Sequence, residues 1–391
     1  MSQARITRVR LENYKSIKFC DVQLEPITVL VGQNGSGKSN FLDALSFIAD
    51  ALQNSFDYAI STRGGGSRII FKNSPIEFPT DFSITLSVST GKIDFDYAIK
   101  VRFQVGDNTG LYLDGDVYYE SCRISNGDYF VVENGVLSNS SISKPPSASK
   151  ENLYLTRVSG VLEFMDAYTL LCGISVYNPI PELIRDGAGR DLSTRKIAKN
   201  AENLSSVIYL NMKSEQDLTP KIHDYLSKLI QGYKGLSVAI GKNFDVGLTQ
   251  NYINSSTFWS RSLSDGTLRF LAILFILLIK PKFLMEKPFI GIEEPEIFLH
   301  PAAAGLLMDA MREASLDSQI IFSTHSPDLL DRIDLSTERV FAVNIVEGET
   351  IIAPIDSASR EIVRRNLYTL GDLLRMNQLE PEQNFKLEGS V

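Results

Sequence analysis

The chain opens on short runs whose apolar period predicts strands before helices. Apolar and polar residues mix between Arg5 and Leu11 and again between Ile17 and Leu24. Ile27, Thr28, Val29, Leu30 and Val31 then form a nearly all-apolar run, the pattern of a strand buried on both faces. After a glycine-rich turn, Phe41, Leu42, Leu45, Ile48, Ala49 and Leu52 recur at helical spacing. The opening therefore reads strand, loop, helix.

Alternation dominates the next stretch. Ile84, Leu86 and Val88 face one way, and Ile93, Phe95, Tyr97, Ile99, Val101, Phe103 and Val105 repeat the period across a Thr90-Gly91-Lys92 turn. Gly127-Asp128 and Asn134-Gly135 continue the hairpin style to about residue 137. A serine-rich connector with Pro145-Pro146 fills 138–150. Residues 151–235 read mostly helical, broken by Pro179 and Pro181. Beyond about residue 260 an α/β rhythm returns: a helix over Gly266–Ile279, a strand at Phe289–Ile292, a helix from Pro301, a strand at Gln319–Ser323, and further strands at Val340–Val346 and Thr350–Pro354. The boundaries expected are 1–137 for the first half of a head with an antiparallel β lobe, 138–250 for a mostly helical insertion, and 251–391 for the second half of the head.

Composition narrows the class. The 391 residues are 43% hydrophobic and 22% charged, which is ordinary for a globular protein. Lys and Arg number 39 against 47 Asp and Glu, so the formal net charge of −8 argues mildly against tight autonomous DNA binding. Cys20, Cys122 and Cys172 are far apart, so neither a disulfide framework nor a zinc site is indicated. The longest apolar run, Phe270–Ile279, is too short for a membrane span. With no signal-like apolar stretch at the start, a reducing cytoplasm is the expected location.

The most specific chemistry lies at Gly32-Gln33-Asn34-Gly35-Ser36-Gly37-Lys38-Ser39, followed by Asn40. Glycines at this spacing let main-chain amides turn inward around phosphate oxygens, and the helix that follows adds a favourable dipole. Lys38 is expected to reach the β- and γ-phosphates of ATP, and the Ser39 hydroxyl to ligate Mg2+. A chance glycine-rich turn would not come with a buried strand before it and an amphipathic helix after it. Hydrolysis needs carboxylates as well. Phe289-Ile290-Gly291-Ile292-Glu293-Glu294 is an apolar strand ending in two: Glu293 is placed to hold Mg2+ through water, and Glu294 to act as general base on the attacking water.

Leu263-Ser264-Asp265-Gly266-Thr267, just ahead of an apolar helix, resembles the signature motif of ABC-type ATPases, and Ser323-Thr324-His325-Ser326-Pro327 resembles their histidine switch. LSDGTLRF, IEEPEIFLHP, STHSPDLLD, the opening ITRVRLENYKSIKF and the ending NLYTLGDLL together look like the RecF/SMC/OLD-like ATPases, in a short stand-alone form of the kind found in bacterial anti-phage defence systems. The resemblance implies an α/β P-loop fold, an ABC-type head with an antiparallel β lobe and an inserted helical region. It also implies a homodimer or higher oligomer in which heads pair head to tail and sandwich ATP. Ser264, Asp265 and Gly266 would then serve the partner's nucleotide, and His325 would sense the γ-phosphate. Pro295, Glu296 and His300 fall where the family keeps an interface loop. One departure is Glu293, where Asp is common.

No sustained heptads mark the stretch between Ser39 and Leu263, so the long coiled coils of SMC proteins are not expected. No acidic metal cluster follows His325 either. A nuclease, or another operon partner, is therefore expected as a separate effector chain. The favoured reading is a Mg-dependent ATPase whose dimerisation regulates a nucleic-acid-directed or effector partner. The alternatives are a RecF/SMC-like repair ATPase, a nucleotide-gated scaffold with little turnover, and the nucleotide-binding subunit of a transporter. The transporter is disfavoured because LRFLAILFILL follows the signature where such subunits carry an Arg/Gln-rich segment. Arg185, Arg190, Arg195, Lys196 and Lys199 are the candidate zone for nucleic-acid contact, although such runs are usually solvated faces.

Overall fold

The computed structural model describes residues 4–72, 80–105, 112–187, 192–212, 219–240, 244–250, 256–279 and 288–383. The chain begins with β1 (Arg5–Tyr14), β2 (Ile17–Gln23), β3 (Ile27–Val31), α1 (Lys38–Gln53), α2 (Phe56–Ser61) and α3 (Gly66–Ile69). Hairpins follow as β4 (Asp81–Ser89), β5 (Asp94–Val105), β6 (Tyr112–Ile124), β7 (Tyr129–Glu133) and β8 (Val136–Ser140). The middle holds α4 (Tyr154–Arg157), α5 (Leu162–Cys172), β9 (Ser175–Tyr177), α6 (Pro181–Asp186), α7 (Leu204–Met212), α8 (Thr219–Leu229), β10 (Tyr233–Ile240), β11 (Phe244–Gln250) and β12 (Ser256–Trp259). The last part is α9 (Asp265–Leu278), β13 (Phe289–Glu293), α10 (Ala304–Ala314), β14 (Gln319–Thr324), α11 (Pro327–Leu330), β15 (Arg339–Val346), β16 (Glu349–Pro354), α12 (Ser357–Arg364) and α13 (Leu370–Arg375).

Among the described residues three sheets result, with strand orders β2-β1-β4-β5-β6-β7-β8, β10-β11-β12 and β16-β15-β3-β14-β13-β9. The first is antiparallel throughout. In the third, β15, β3, β14, β13 and β9 run parallel and only β16 is reversed. Parallel strands are covered on both faces, which explains why β3 and β14 are buried at every position. Because these strands run parallel, the segments leaving β3, β9, β13 and β14 all emerge at one edge. Ligands in open α/β sheets bind at that edge.

Helix α1 is wedged between the two large sheets, so its apolar residues are buried on more than one face. Tyr14 of β1, Phe47 of α1 and Phe82 of β4 form an edge-to-face cluster, with Phe82 5.4 Å from each of the other two rings. Arg63 binds Asp43 and Asp50 of α1, both at 2.9 Å, and ties the α2–α3 turn to the helix that carries the loop. On the opposite face of the parallel sheet, α9 and α10 close a second core with Phe270, Phe275, Met308 and Phe322.

The insertion differs in part from expectation. Helices α4 to α8 lie within 138–250, but β9 enters the parallel sheet beside β13, and residues 233–240 and 244–250 are strands β10 and β11. Short strands with mixed faces, such as Leu236 and Val238 against Val246 and Leu248, carry too weak a period to stand out beside the neighbouring helices. The segment at Pro301 is likewise a single 3-10 turn, Pro301–Ala303, capped by His300 before α10 starts. No helix among the described residues is long and apolar enough to cross a membrane.

Candidate functional site

The loop between β3 and α1 closes on its own lysine. Lys38, the first residue of α1, is 4% exposed, and its ammonium donates to the carbonyls of Gly32 at 2.8 Å and Gln33 at 2.9 Å. Burial lowers its pKa, while the charges of Glu294, Glu296 and Glu293 act the other way. Gly37 takes φ +104, and a Cβ there would stand 2.2 Å from the Thr350 hydroxyl of β16. A Cβ on Gly32 would meet the Val343 carbonyl of β15 at 2.1 Å. Gly35 has φ +79 with no atom within 4 Å of such a Cβ, so the tip of the loop is open. Thr350 also donates to the Ser36 carbonyl at 2.9 Å, so β16 braces the loop from outside. Gln33 donates to Asn377 at 2.8 Å, Asn34 lines the adjoining cleft, and Asn40 donates to Ser16.

The acidic strand end comes directly to this loop. The Ser39 hydroxyl donates to Glu293 Oε2 at 2.7 Å. Glu294 has φ +41, the left-handed region, and its amide donates to the Ser323 carbonyl at 3.0 Å at the end of β14. That turn aims its carboxylate at His325, whose Nδ1 lies 3.4 Å from Glu294 Oε1. Glu296 stands behind, with Oε1 accepting from Thr324 and from the His325 amide while Oε2 is buried without a partner. Burial raises its pKa. Lys38, Ser39, Glu293, Glu294 and His325, scattered in sequence, thus meet at the carboxyl ends of β3, β13 and β14.

The signature segment lies apart from them. Ser264 caps α9 by accepting from the Thr267 amide at 3.2 Å and is exposed. Asp265 pairs with Arg185 of α6, whose guanidinium also donates to the Leu263 carbonyl at 2.9 Å. A Cβ on Gly266 would lie 2.3 Å from the Phe298 carbonyl. Among the described residues, no hydrogen bond joins Ser264, Asp265 or Gly266 to residues 32–40. Of the basic zone expected around Arg185, Lys199 is paired with Asp50 at 2.6 Å, and Arg190 lies outside the described residues. Sequence reasoning missed Arg269, a cation 3% exposed within the apolar helix α9, and Asn178 at the mouth of β9. A lone arginine inside LRFLAILFILL was the available signal for the first.

The residues suit a nucleotide and a hard cation. A hydroxyl and a carboxylate oxygen supply the two donors, as Mg2+ prefers when phosphates and water complete its shell. The glycines at 32 and 37 stand where any side chain would collide, as expected of a loop shaped by its backbone.

Fold and loop together define a P-loop ATPase. The chain belongs to the family described as "AAA domain, putative AbiEii toxin, Type IV TA system", which matches residues 27–119 and 193–331, more than half its length. It is 21% identical to the "Retron Vc95 probable ATPase" of Vibrio cholerae over 88% of this chain and 74% of that protein. It is also 21% identical to "Endonuclease GajA" of Bacillus cereus, over 84% of this chain and 57% of that protein. Among solved structures, an Smc head bound to the C-winged helix domain of ScpA superposes with a TM-score of 0.54 at 17% identity, covering 91% of this chain and 99% of that one. An Smc head with an extended coiled coil from Pyrococcus furiosus gives 0.53 at 16% identity, covering 93% and 99%. The fold is shared; at that identity nothing more follows from these structures. The chain is an SMC/RecF/OLD-like ATPase.

Proposed function

We propose that the protein hydrolyses ATP to ADP and phosphate between two copies paired head to tail, and that this cycle controls an effector partner. The observation carrying the reading is the 2.7 Å contact between Ser39 and Glu293 at the foot of a loop already closed around a buried lysine. Amides of Gly32 to Ser39 would cradle the phosphates, with Asn40 continuing along α1, and Lys38 would turn from the loop carbonyls to the β- and γ-phosphates. Ser39 and Glu293 would hold Mg2+, which when bound supplies positive charge against the phosphates. Glu294 would take the proton from a water whose oxygen attacks the γ-phosphorus as the bond to ADP breaks. His325, 3.4 Å from Glu294, would orient that carboxylate and sense the γ-phosphate.

The pairing rests on the placement of Ser264, Asp265 and Gly266. They make no hydrogen bond to their own phosphate loop, yet Ser264 is exposed at a helix N-terminus, where an anion is favoured. A second copy could bring its phosphate loop to that end. The likeness to a retron ATPase and an endonuclease supports a nucleic-acid-directed or nuclease effector and a role in anti-phage defence, in the cytoplasm. Phosphate release by the purified chain tests the chemistry. Turnover should need Mg2+ and fall at least about 100-fold in Lys38→Ala and Glu294→Gln, the scale expected when a phosphate-binding cation or general base is lost. Undiminished turnover in either variant would refute the assignment.

A further inference from the structure

Arg269 belongs to the signature helix but does its bonding elsewhere. Its guanidinium is buried at the carboxyl ends of β9 and β13. Nη2 faces the carbonyls of Glu293 at 2.8 Å and Glu294 at 3.0 Å and the side chain of Asn178 at 3.2 Å, while Nη1 donates to the Pro179 carbonyl. One cation thus binds two consecutive carbonyls of the turn that presents Glu294. That turn is an unfavourable one for a glutamate, with φ +41, and such conformations persist only where surrounding contacts over-determine them. Ser323 holds the Glu294 amide from one side, and Arg269 holds its carbonyl from the other.

A second contact joins the same two parts. Gly266, one turn earlier on α9, packs its Cα against the Phe298 carbonyl just beyond the acidic turn, leaving no room for a Cβ. The helix is therefore fixed to the turn both by a buried arginine and by a backbone-to-backbone approach. A side chain kept only to fill α9 would not need the Nη1 and Nη2 donors; an apolar residue like its neighbours Leu268 and Phe270 would serve.

We infer that Arg269 is a positioning residue: it sets where the Glu294 carboxylate points, and makes that placement depend on how the signature helix of the same chain is seated. This rests on the proposed role of Glu294 and extends it. Under head-to-tail pairing, Ser264 and Gly266 at the tip of α9 would contact the partner's nucleotide. Arg269 would carry any shift of that helix to the chain's own hydrolytic turn.

The test is a double-mutant cycle on the full chain, reading ATP affinity and single-turnover hydrolysis separately. Arg269→Gln and Arg269→Lys should bind ATP within about twofold of wild type, because Arg269 makes no bond to residues 32–40. Both should hydrolyse it at least about tenfold more slowly, since lysine cannot span the two carbonyls and Asn178. Asn178→Ala, which keeps the arginine, should slow hydrolysis a few-fold and serves if the Arg269 variants fold poorly. In a Glu294→Gln background the Arg269 and Asn178 substitutions should add little further loss, since the group they position is gone. Additive losses, or wild-type hydrolysis by a folded Arg269 variant, would overturn the inference. Loss in Arg269→Gln alongside full activity in Glu294→Gln would overturn the general-base assignment as well. A reduced melting temperature with unchanged single-turnover rate would mark a merely structural arginine.

Discussion

Ser39 and Glu293 stand 254 positions apart in sequence, yet their side chains meet at 2.7 Å. A hydroxyl donating to a carboxylate at the foot of a phosphate loop places two hard oxygens together, and both would face one cation. Ser39→Ala and Glu293→Gln should each cut ATP affinity about tenfold or more in millimolar Mg2+ and hardly at all in EDTA, since a charge-assisted contact contributes about 1.5–3 kcal/mol. Equilibrium binding of a fluorescent ATP analogue across a Mg2+ titration reads this directly. Equal loss with and without the metal would show that the pair serves only the loop's shape.

The loop glycines make contrasting demands. At Gly37 a methyl group would collide with Thr350 as well as strain a backbone at φ +104, whereas at Gly35 it would meet open space at φ +79. Left-handed conformation alone costs an L-residue about 1–2 kcal/mol. Gly35→Ala should therefore lower the melting temperature slightly, and Gly37→Ala markedly more, with partial recovery on adding Thr350→Gly. Thermal denaturation of the three variants without nucleotide gives the comparison.

A buried acid in the antiparallel lobe sets a pH dependence. Glu120 of β6 is fully buried and accepts from Tyr97 and from the Tyr154 and Leu155 amides at the start of α4. Burial raises its pKa from 4.5 to about 7, and the three donors only partly oppose that rise. Folding therefore takes up a proton between these values. Its stabilising effect is complete below the unfolded pKa and disappears as pH rises through about 7. Compared with Glu120→Gln, which keeps shape and an acceptor, wild type should lose melting temperature steadily from pH 5 to pH 8. A difference that is flat over that range would mean Glu120 stays ionised.

Arg185 sits where a nucleic-acid contact was expected but is committed to the signature segment through Asp265 and the Leu263 carbonyl. The pair is partly exposed, so its worth is about 0–1 kcal/mol. Arg185→Ala should leave ATP binding by a single head unchanged and raise the ATP needed for dimerisation by no more than about fivefold, as seen by light scattering. A loss of DNA or RNA binding with dimerisation intact would restore the first reading.

The parts of the site carried by contiguous chemistry were legible in the sequence: the loop at 32–40 between a fully apolar strand and an amphipathic helix, and the apolar strand ending at Glu293 and Glu294. Strands β4 and β5 were legible because alternation survives wherever one face of a sheet is solvated. What escaped notice depends on contacts between distant segments. The three residues of β9 have too little length for a period, yet pairing with β13 carries Asn178 to the site. A lone arginine in an otherwise apolar helix marked Arg269 as unusual, but only the folded chain shows its guanidinium beneath the acidic turn. Thr350 was read as part of a late strand, and its role against Gly37 follows from β16 lying beside the loop.

Sedimentation velocity of the Glu294→Gln chain tests the central claim most directly, since slowed hydrolysis should preserve the ATP-bound assembly. With Mg2+ and ATP the 43.5 kDa monomer should convert to a species of about twice that mass. It should revert on chelation and fail to form when Ser264→Arg is added, although that double variant still binds ATP. A mass that ignores nucleotide, or a dimer untouched by Ser264→Arg, would contradict ATP held between one copy's phosphate loop and the other's serine.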